Sequence, residues 1–257
     1  GWKLVSQNYR KGNWWMYDCF NREISYLRIS VTDRCNLRCQ YCMPEGGIMQ
    51  MNHDKIISFD EIVAFTKYAV QQGIKKIKLT GGEPLVRKGI IDLVRMIAEI
   101  DGIVDFGMTT NGILLQKFAK PLAEAGLQRI NVSLDSMNPE RFHEITRVGD
   151  LADVLKGIDA AIENNLMPVK INCVIKNSEN EPDALSVAAY AQQKGLQVRY
   201  IPLMDLEKGD FGIVHGGDGG NCSICNRLRL TSTGDIKPCL FNNMAYNIRE
   251  LGIEKAY

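Results

Sequence analysis

Six short strand-like stretches alternate with helical patterns along most of this chain. The strand-like stretches cover residues 26–32, 75–80, 104–110, 129–135, 168–175 and 197–203, and the helical patterns lie near 58–72, 89–99, 113–125, 138–164 and 181–194. The stretch 138–164 is long enough for two helices. Alternation of this kind is typical of βαβ units, whose strands form a parallel sheet. Because six units fall short of the eightfold barrel, the sequence predicts an α/β fold, a partial (β/α)6 TIM-like barrel with a small C-terminal region.

The pattern divides the chain into three parts. Residues 1–15 are either a native arm or an added extension, and we leave them out of the fold prediction. Residues 16–204 carry the barrel pattern. Residues 205–257 begin with the glycine-rich segment GDFGIVHGGDGGN and form a C-terminal region with cysteines of its own.

Charge and hydropathy exclude several classes of partner. The formal net charge is +1, so net charge gives no attraction to nucleic acid or to a membrane surface. No apolar run is long enough to cross a bilayer, and the first residues lack the apolar stretch of a signal peptide. We therefore expect a cytoplasmic protein that binds neither nucleic acid nor membrane.

The strands differ sharply between their two faces. Because side chains alternate along a strand, one parity faces the helices and the other faces the barrel interior. The first parity is apolar: Leu27, Ile29, Val31, Ile77, Leu79, Ile130, Val132, Leu134, Val169, Ile171, Cys173 and Ile175. The second is polar and rich in cations: Arg28, Ser30, Thr32, Lys76, Lys78, Thr80, Thr109, Asn111, Asn131, Ser133, Asp135, Lys170, Asn172 and Arg199. Buried cations need anions, so the interior is predicted to hold a large anionic ligand. The alternative is one or two lysines that extend to solvent at strand ends.

Six of the eight cysteines fall into two groups. Cys35, Cys39 and Cys42 follow the first strand directly and so lie at its carboxyl end, where barrel active sites form. Three thiolates can hold three irons of a four-iron cluster and leave the fourth open to a small-molecule chelate. Tyr41 could pack against an adenine ring. A zinc site and plain buried thiols are the alternatives, although zinc usually takes four ligands.

The second group is Cys222-x-x-Cys225 and Cys239. Three ligands again imply an open coordination position, and the alternative is a closed cluster with a fourth ligand such as Cys19. Cys173 lies on the parity that faces the helices, so we interpret it as a core residue.

The first cysteine group, with an aromatic residue before its third member, resembles the signature of the radical S-adenosylmethionine (SAM) superfamily. The glycine-rich segment Gly81-Gly82-Glu83-Pro84 resembles that family's second motif, and its glycines allow a close backbone approach to a ligand. The resemblance implies that the open iron binds SAM and that reductive cleavage yields a 5′-deoxyadenosyl radical.

A closer resemblance covers residues from about 16 to 241, with one large interruption. The segments ISYLRISVTDRCNLRCQYCMPE, IKLTGGEPLVRK, TTNG, RINVSLDS, VKINCVI and CNRLRLTSTGDIKPCLF resemble the GTP 3′,8-cyclase family of molybdenum cofactor biosynthesis. This resemblance implies two 4Fe-4S clusters, SAM as cofactor, GTP as substrate, and a second cluster whose open iron binds guanine. It also implies an external electron donor such as flavodoxin or ferredoxin, and it leaves a homodimer open.

The resemblance assigns roles residue by residue. The residues implied near SAM are Tyr41, Gly82, Glu83, Thr109, Asn111, Ser133 and Arg199. The residues implied to hold the nucleotide and its triphosphate are Arg28, Lys76, Lys78, Lys170, Arg227 and Arg229. Arg28 is the residue expected to support catalysis, in which a ribose hydrogen at C3′ is abstracted and the carbon radical attacks C8 of guanine.

The chain departs from this family in its C-terminal part. Only about seventeen residues separate Met204 from Cys222, where the family has a longer segment, and the family's Gly-Gly tail is missing at Tyr257. The departure keeps a second hypothesis open, a radical SAM enzyme that acts on a peptide, a sugar or another nucleotide. A non-catalytic zinc-binding scaffold is the third.

Overall fold

The computed structural model describes residues 8–10, 13–15, 17–18, 21–47, 52–204, 212–240 and 243–257. Cys19 lies outside the described residues. In the part of the chain that is described, no helix is both long enough and apolar enough to cross a bilayer.

Two sheets are present among the described residues. A short hairpin pairs β1 with β2, and one large open sheet has the order β11-β10-β9-β3-β4-β5-β6-β7-β8. The strands are β1 (Asn8–Arg10), β2 (Asn13–Trp15), β3 (Tyr26–Ser30), β4 (Lys76–Thr80), β5 (Asp105–Thr110), β6 (Arg129–Ser133), β7 (Lys170–Ile175), β8 (Gln197–Pro202), β9 (Arg227–Leu230), β10 (Asp235–Lys237) and β11 (Tyr246–Asn247). Strands β9 and β3 to β8 are all parallel, whereas β10 and β11 are antiparallel to their neighbours. The predicted partial barrel of six βα units is confirmed, because each of the six predicted strands forms and the sheet does not close.

Helices follow the strands as the pattern predicts. They are α1 (Phe59–Gln71), α2 (Ile90–Ala98), α3 (Leu115–Glu124), α4 (Pro139–Thr146), α5 (Leu151–Glu163), α6 (Pro182–Gln193), α7 (Ile248–Leu251) and α8 (Ile253–Ala256). Helix α1 begins with a capping box, in which Ser58 and Glu61 satisfy each other's backbone N–H groups. The stretch 138–164 forms two helices, as expected, and Asn138 and Asp150 cap their starts.

The two faces of the sheet have the predicted characters. Side chains of the apolar parity such as Leu27, Ile77 and Ile171 are completely buried, in the core that the helices cover. On the other face Lys78 is only 1% exposed. Lys76 is the exception to the expected burial of this face, because it is the first residue of β4, at the amino end of the strand, and its side chain is 49% exposed.

The C-terminal region continues the barrel sheet. Strand β9 pairs in parallel with β3, from Tyr26 opposite Arg227 to Ile29 opposite Leu230. Cys222 and Cys225 come directly before β9, while Cys35, Cys39 and Cys42 follow β3. Since the two strands are parallel neighbours, the two cysteine groups lie at opposite ends of the same sheet.

Candidate active site

The first cysteine group occupies the loop after β3. The second part of this loop forms a tight turn, in which the N–H groups of Cys42 and Met43 both donate to the carbonyl of Cys39. The Cys35 sulfur accepts from the backbone N–H of Leu37 at 3.4 Å and lies 3.8 Å from Nδ2 of Asn111. Burial raises the pKa of Cys35 above its usual value, and these two donors counteract part of that rise.

Cys39 and Cys42 influence each other directly. The Cys42 thiol lies 3.8 Å from the Cys39 carbonyl oxygen, and the interaction of the two thiols lowers the pKa of Cys42 to about 7 and raises the pKa of Cys39 above its usual value. Arg147 also lowers the pKa of Cys42, by its positive charge. Since thiolates are the metal-binding form of cysteine, the more exposed of the two thiols is ready to act as a ligand near neutral pH.

The carboxyl end of α4 holds this loop in place. Backbone N–H groups of Arg38 and Gln40 donate to carbonyls in the last turn of α4 at 3.1 and 2.9 Å. Arg147, the residue that ends α4, donates through Nη1 to the carbonyls of Arg38 at 2.6 Å and Met43 at 3.0 Å. It does so from a backbone φ of 65°, which is unfavourable for a residue other than glycine. Sequence reasoning missed Arg147, because no local pattern indicates such long-range contacts.

The glycine-rich segment after β4 packs directly against the cysteine loop. The N–H groups of Gly82 and Glu83 donate to the carbonyls of Thr32 at 2.8 Å and Arg34 at 2.7 Å. A Cβ atom on Gly82 would lie 2.3 Å from the carbonyl oxygen of Arg34. The position therefore requires glycine, and its exposed backbone is available to a ligand.

Glu83 is 1% exposed and braces the neighbouring strand. Its carboxylate accepts from the Leu85 N–H at 3.0 Å, the Thr110 hydroxyl at 2.8 Å and the Asn111 N–H at 2.7 Å. Burial raises its pKa above the usual value, against the effect of these donors. Glu83 was predicted to lie near SAM, and the structure shows it fixing the backbone of Asn111, another residue on that list.

The other residues expected near SAM line the same end of the sheet. Tyr41 donates its hydroxyl to Oδ2 of Asp135 at 2.7 Å, and Asp135 also accepts from the Val174 N–H at 2.8 Å. Thr109 and Ser133 are half-buried on the inner parity of β5 and β6. Arg199 lies farther round the sheet on β8, and its buried Nε has no partner among the described residues.

Cations crowd the middle of the inner face. Lys78 donates to Oδ1 of Asn131 at 3.0 Å, and its pKa lies well below the usual value because of burial and of the nearby Arg129 and Arg28. Burial and the charge of Arg28 lower the pKa of Arg229 to about 10. Within the described residues, the buried Nε atoms of Arg28 and Arg229 have no hydrogen-bond partner.

Two further predicted cations lie at the edge of this cluster. Lys170 is half-buried, and burial and the charge of Arg199 lower its pKa. Arg227 donates to the carbonyl of Asp218 at 3.2 Å, with its guanidinium 5.7 Å from the centre of the Tyr26 ring. Because buried donors without partners are costly, the inner face fits a ligand with several anionic oxygens.

The second cysteine group lies at the amino end of β9, beside the cations of the inner face. Cys222 opens a short 3-10 turn that the Asn221 side chain caps, and Arg22 donates to the Cys222 carbonyl. Cys225 and Cys239 are half-buried, and both lie close enough to the Arg229 guanidinium to oppose, as thiolates, the lowering of its pKa. The arrangement connects the second cysteine group to the cations of the inner face.

Neither cysteine group is arranged as a single-ion site. Among the described residues, no three His, Cys, Asp or Glu side chains lie close enough together to hold one metal ion. The thiols of a four-iron cluster bind separate irons and so need not converge on one point. Cys173 belongs to neither group, since it is completely buried in the core, as predicted.

Comparison with known proteins decides the family. The model of the radical SAM superfamily matches residues 29–191. A GTP 3′,8-cyclase from Alkaliphilus oremlandii is 42% identical over 275 aligned positions, which take in 91% of this chain and 86% of that protein. The chain belongs to the GTP 3′,8-cyclase family. A second member, from Thermodesulfovibrio yellowstonii, is 40% identical over 282 positions, covering 92% of this chain and 88% of the relative.

Solved structures show the same fold. SuiB of Streptococcus suis, bound to its precursor peptide SuiA, superposes with a TM-score of 0.71 at 15% identity, over 92% of this chain and 64% of SuiB. A structure of anSMEcpe with bound AdoMet and a peptide gives 0.64 at 16% identity, over 90% of this chain and 79% of the other. At these identities the likeness establishes the fold alone.

Membership of the GTP 3′,8-cyclase family makes this chain a radical SAM enzyme with a 4Fe-4S cluster and SAM as cofactor. The zinc-binding scaffold is therefore wrong. The alignment with the Alkaliphilus oremlandii protein is longer than the 257-residue chain, so it contains gaps on this side. This agrees with the interruption seen in the sequence.

Proposed function

We propose that the enzyme cyclises GTP between C3′ of the ribose and C8 of the guanine, as a step in molybdenum cofactor biosynthesis. The observation that carries the proposal is the set of buried arginine Nε donors without partners on the inner face, between the two cysteine groups. A nucleoside triphosphate supplies anionic oxygens for these donors and a base that can reach one end of the inner face.

The proposal gives each cysteine group its own role. Cys35, Cys39 and Cys42 hold the cluster that binds SAM, and Cys222, Cys225 and Cys239 hold a second 4Fe-4S cluster with an open position toward the guanine. When bound, the first cluster and SAM supply a 5′-deoxyadenosyl radical, which abstracts hydrogen. The opposite placement of the two groups supports this division, because the substrate then lies between them.

The protein's own side chains position the reactants. Near SAM the proposed residues are Tyr41, Gly82, Glu83, Thr109, Asn111, Ser133 and Arg199. At the substrate they are Arg28, Lys76, Lys78, Lys170, Arg227 and Arg229. Arg28 lies in the middle of β3, and its Nε lacks a partner among the described residues, so we assign it to the nucleotide next to the reacting carbon.

Several further assignments belong to the same proposal. The barrel comprises residues 16–204 and the region of the second cluster comprises residues 205–257. An external protein such as flavodoxin or ferredoxin supplies the electron, and the enzyme is cytoplasmic and acts without nucleic acid or membrane. A homodimer is compatible with the proposal but is not required by it.

The direct test is anaerobic incubation with SAM, GTP and dithionite, followed by mass analysis. We expect 5′-deoxyadenosine together with a cyclised isomer of GTP. Deoxyadenosine without the isomer would contradict the substrate and would favour the alternative, a radical SAM enzyme that acts on another molecule.

Iron counting tests the two clusters separately. Cys39→Ala and Cys225→Ala should each lower the iron content from about eight to about four per chain, because each change removes one ligand of one cluster. Cys173→Ala is the matched control and should keep all the iron, since Cys173 lies in the core. Full iron retention by Cys225→Ala would contradict the second cluster.

A further inference from the structure

One row of registered residues crosses five neighbouring strands of the sheet. In order from β9 to β6 it consists of Arg229, Arg28, Lys78, Gly107 and Arg129. We call these five residues the cation row. The proposed function uses its first three cations, but it gives no role to Arg129.

The glycine in the cation row brings its neighbours together. A Cβ atom on Gly107 would lie 3.1 Å from Nζ of Lys78 and 3.1 Å from Cγ of Arg129. The space above Gly107 is thus filled by the side chains from both sides. Two cations approach each other there on the inner face, which is favourable only if anions lie close to both.

Asp105 fixes the guanidinium of Arg129. Its carboxylate accepts from both Nε and Nη2 of Arg129, the latter at 2.7 Å. The remaining nitrogen, Nη1, lies 3.5 Å from Oδ1 of Asn131, the same oxygen that accepts from Lys78 at 3.0 Å. Because 3.5 Å is at the limit of a hydrogen bond, Nη1 retains donor capacity next to Lys78.

The charge of Arg129 affects the pKa values of other cations on the inner face, although Arg129 is paired with Asp105. It is one of the causes that lower the pKa of Lys78, of Lys170 and of Arg199. One carboxylate, Asp105, thus offsets only part of a positive charge that several residues share. An anion with several charges would balance the remainder.

We propose that Arg129 contacts the phosphate groups of the substrate and that Asp105 positions it for this contact. The inference rests on the proposed function, because it takes the triphosphate of GTP as the anion. The alternative is a closed ion pair that only stabilises the sheet. The two cases differ in which ligands respond to substitution.

Binding measurements on the anaerobically reconstituted enzyme test this role. We expect Arg129→Met to weaken the binding of GTP and of inorganic triphosphate about tenfold or more, because a charge-assisted contact is lost. Guanosine and SAM should bind as to the parent enzyme. Unchanged affinity for both phosphate ligands would overturn the proposal, and Arg129→Lys, which keeps the charge, serves if the methionine variant does not fold.

A matched control exists on the outer surface. Arg95 and Asp92 form an exposed ion pair on α2, with 3.0 Å between the charged atoms. Arg95→Met makes the same chemical change on the outer surface, away from the inner face, and should leave the binding of all four ligands unchanged. A similar loss in Arg95→Met would show that the effect is not specific to the cation row.

Asp105→Asn tests the positioning role by the sign of its effect. If Asp105 acted only as a negative charge, its removal would strengthen the binding of inorganic triphosphate. If it positions Arg129, the binding of inorganic triphosphate should weaken although repulsion is removed. Tighter binding would overturn the positioning role, and Asp92→Asn is the control.

The two ligands separate this inference from the proposed function. If the parent enzyme binds inorganic triphosphate but forms no cyclised product from GTP, the proposed function fails, and Arg129 can still be tested with triphosphate. If the enzyme cyclises GTP and Arg129→Met binds both phosphate ligands normally, only the inference on Arg129 fails.

Discussion

The Tyr41 hydroxyl donates a 2.7 Å hydrogen bond to Oδ2 of Asp135, and this bond joins the first cysteine loop to the end of β6. Asp135 is 7% exposed, and burial raises its pKa above the usual value. Since folding takes this carboxyl out of water, its two donors are what make the charged form tolerable.

Loss of the Tyr41 hydroxyl should therefore destabilise the fold. We expect Tyr41→Phe to lower the free energy of unfolding by about 1–3 kcal/mol, because it leaves a buried carboxylate with one donor fewer. Asp135→Asn should cost less, since the amide is neutral, its carbonyl oxygen can still accept from the Val174 N–H, and its NH2 group can donate to the Tyr41 hydroxyl oxygen. Urea unfolding under anaerobic conditions measures both.

Tyr190→Phe is the matched control for this experiment. The Tyr190 hydroxyl is buried and has no hydrogen-bond partner among the described residues. Its removal should leave stability unchanged or raise it slightly. Equal losses for the two phenylalanine variants would show that the bond to Asp135 contributes nothing.

Gly82→Ala should displace the glycine-rich segment from the cysteine loop. The new methyl carbon would lie 2.3 Å from the Arg34 carbonyl oxygen. That oxygen accepts a hydrogen bond from the Glu83 N–H, so it cannot move away without breaking this bond. We expect a loss of about 1–3 kcal/mol in stability, together with weaker SAM binding. Gly46→Ala is the control, because nothing lies within 4 Å of its Cβ position. Normal SAM affinity in Gly82→Ala would contradict the close packing.

Arg147 should set how firmly the first cluster is held. Arg147→Met removes the contacts to the carbonyls of Arg38 and Met43, so iron should be lost to a chelator several times faster. Arg147→Gly should behave alike, although it relieves the unfavourable φ. Arg141→Met, which breaks ion pairs with Glu144 and Asp183 on the helix surface, is the control. Equal rates of iron loss in all variants would contradict a tethering role.

The pair of Glu61 and Arg249 should make stability depend on pH. Hydrogen bonds from Arg249 lower the pKa of Glu61 to about 2. A depressed pKa in the folded state gives stability that is present above the ordinary pKa of Glu and is lost as pH falls toward 2. Arg249→Met should thus raise the midpoint of acid unfolding, by a modest amount because the pair is partly exposed.

Arg249 also donates to the carbonyls of Asp54 and Ile56, so it ties α7 to the start of α1. Hydrogen exchange in residues 248–257 should become faster in Arg249→Met. Lys120→Met, in the exposed pair of Lys120 and Glu124, is the control and should change neither property. An unchanged acid midpoint would exclude a contribution from the Glu61 pair.

The sequence predicted the barrel because its signal is local and repeated. Period-two alternation placed Ile29 outward and Lys78 inward, and both positions are as expected. The prediction of an inward cation was weakest at Lys76, since a strand's first residue can extend to solvent whatever its parity. Alternation gives the face of the sheet to which a side chain belongs, but not whether that side chain is exposed at the end of its strand.

Other features were out of reach or were overlooked. Asp105 lies four residues before Thr109 and Arg129 lies two residues before Asn131, so both are on the inner parity of predicted strands and the same alternation would have found them. Arg147 could not be predicted, because its contacts join residues 104 and 109 positions apart in the chain.

Strand β3 sets the distance between the two cysteine groups. Its five residues span roughly 16 Å at the usual rise of a strand. Parallel pairing with β9 places Cys222 and Cys225 at the amino end of β3. That length is comparable to an extended nucleotide. If both cysteine groups hold clusters, a molecule that contacts both has to span this distance, which the backbone hydrogen bonds between β3 and β9 keep constant.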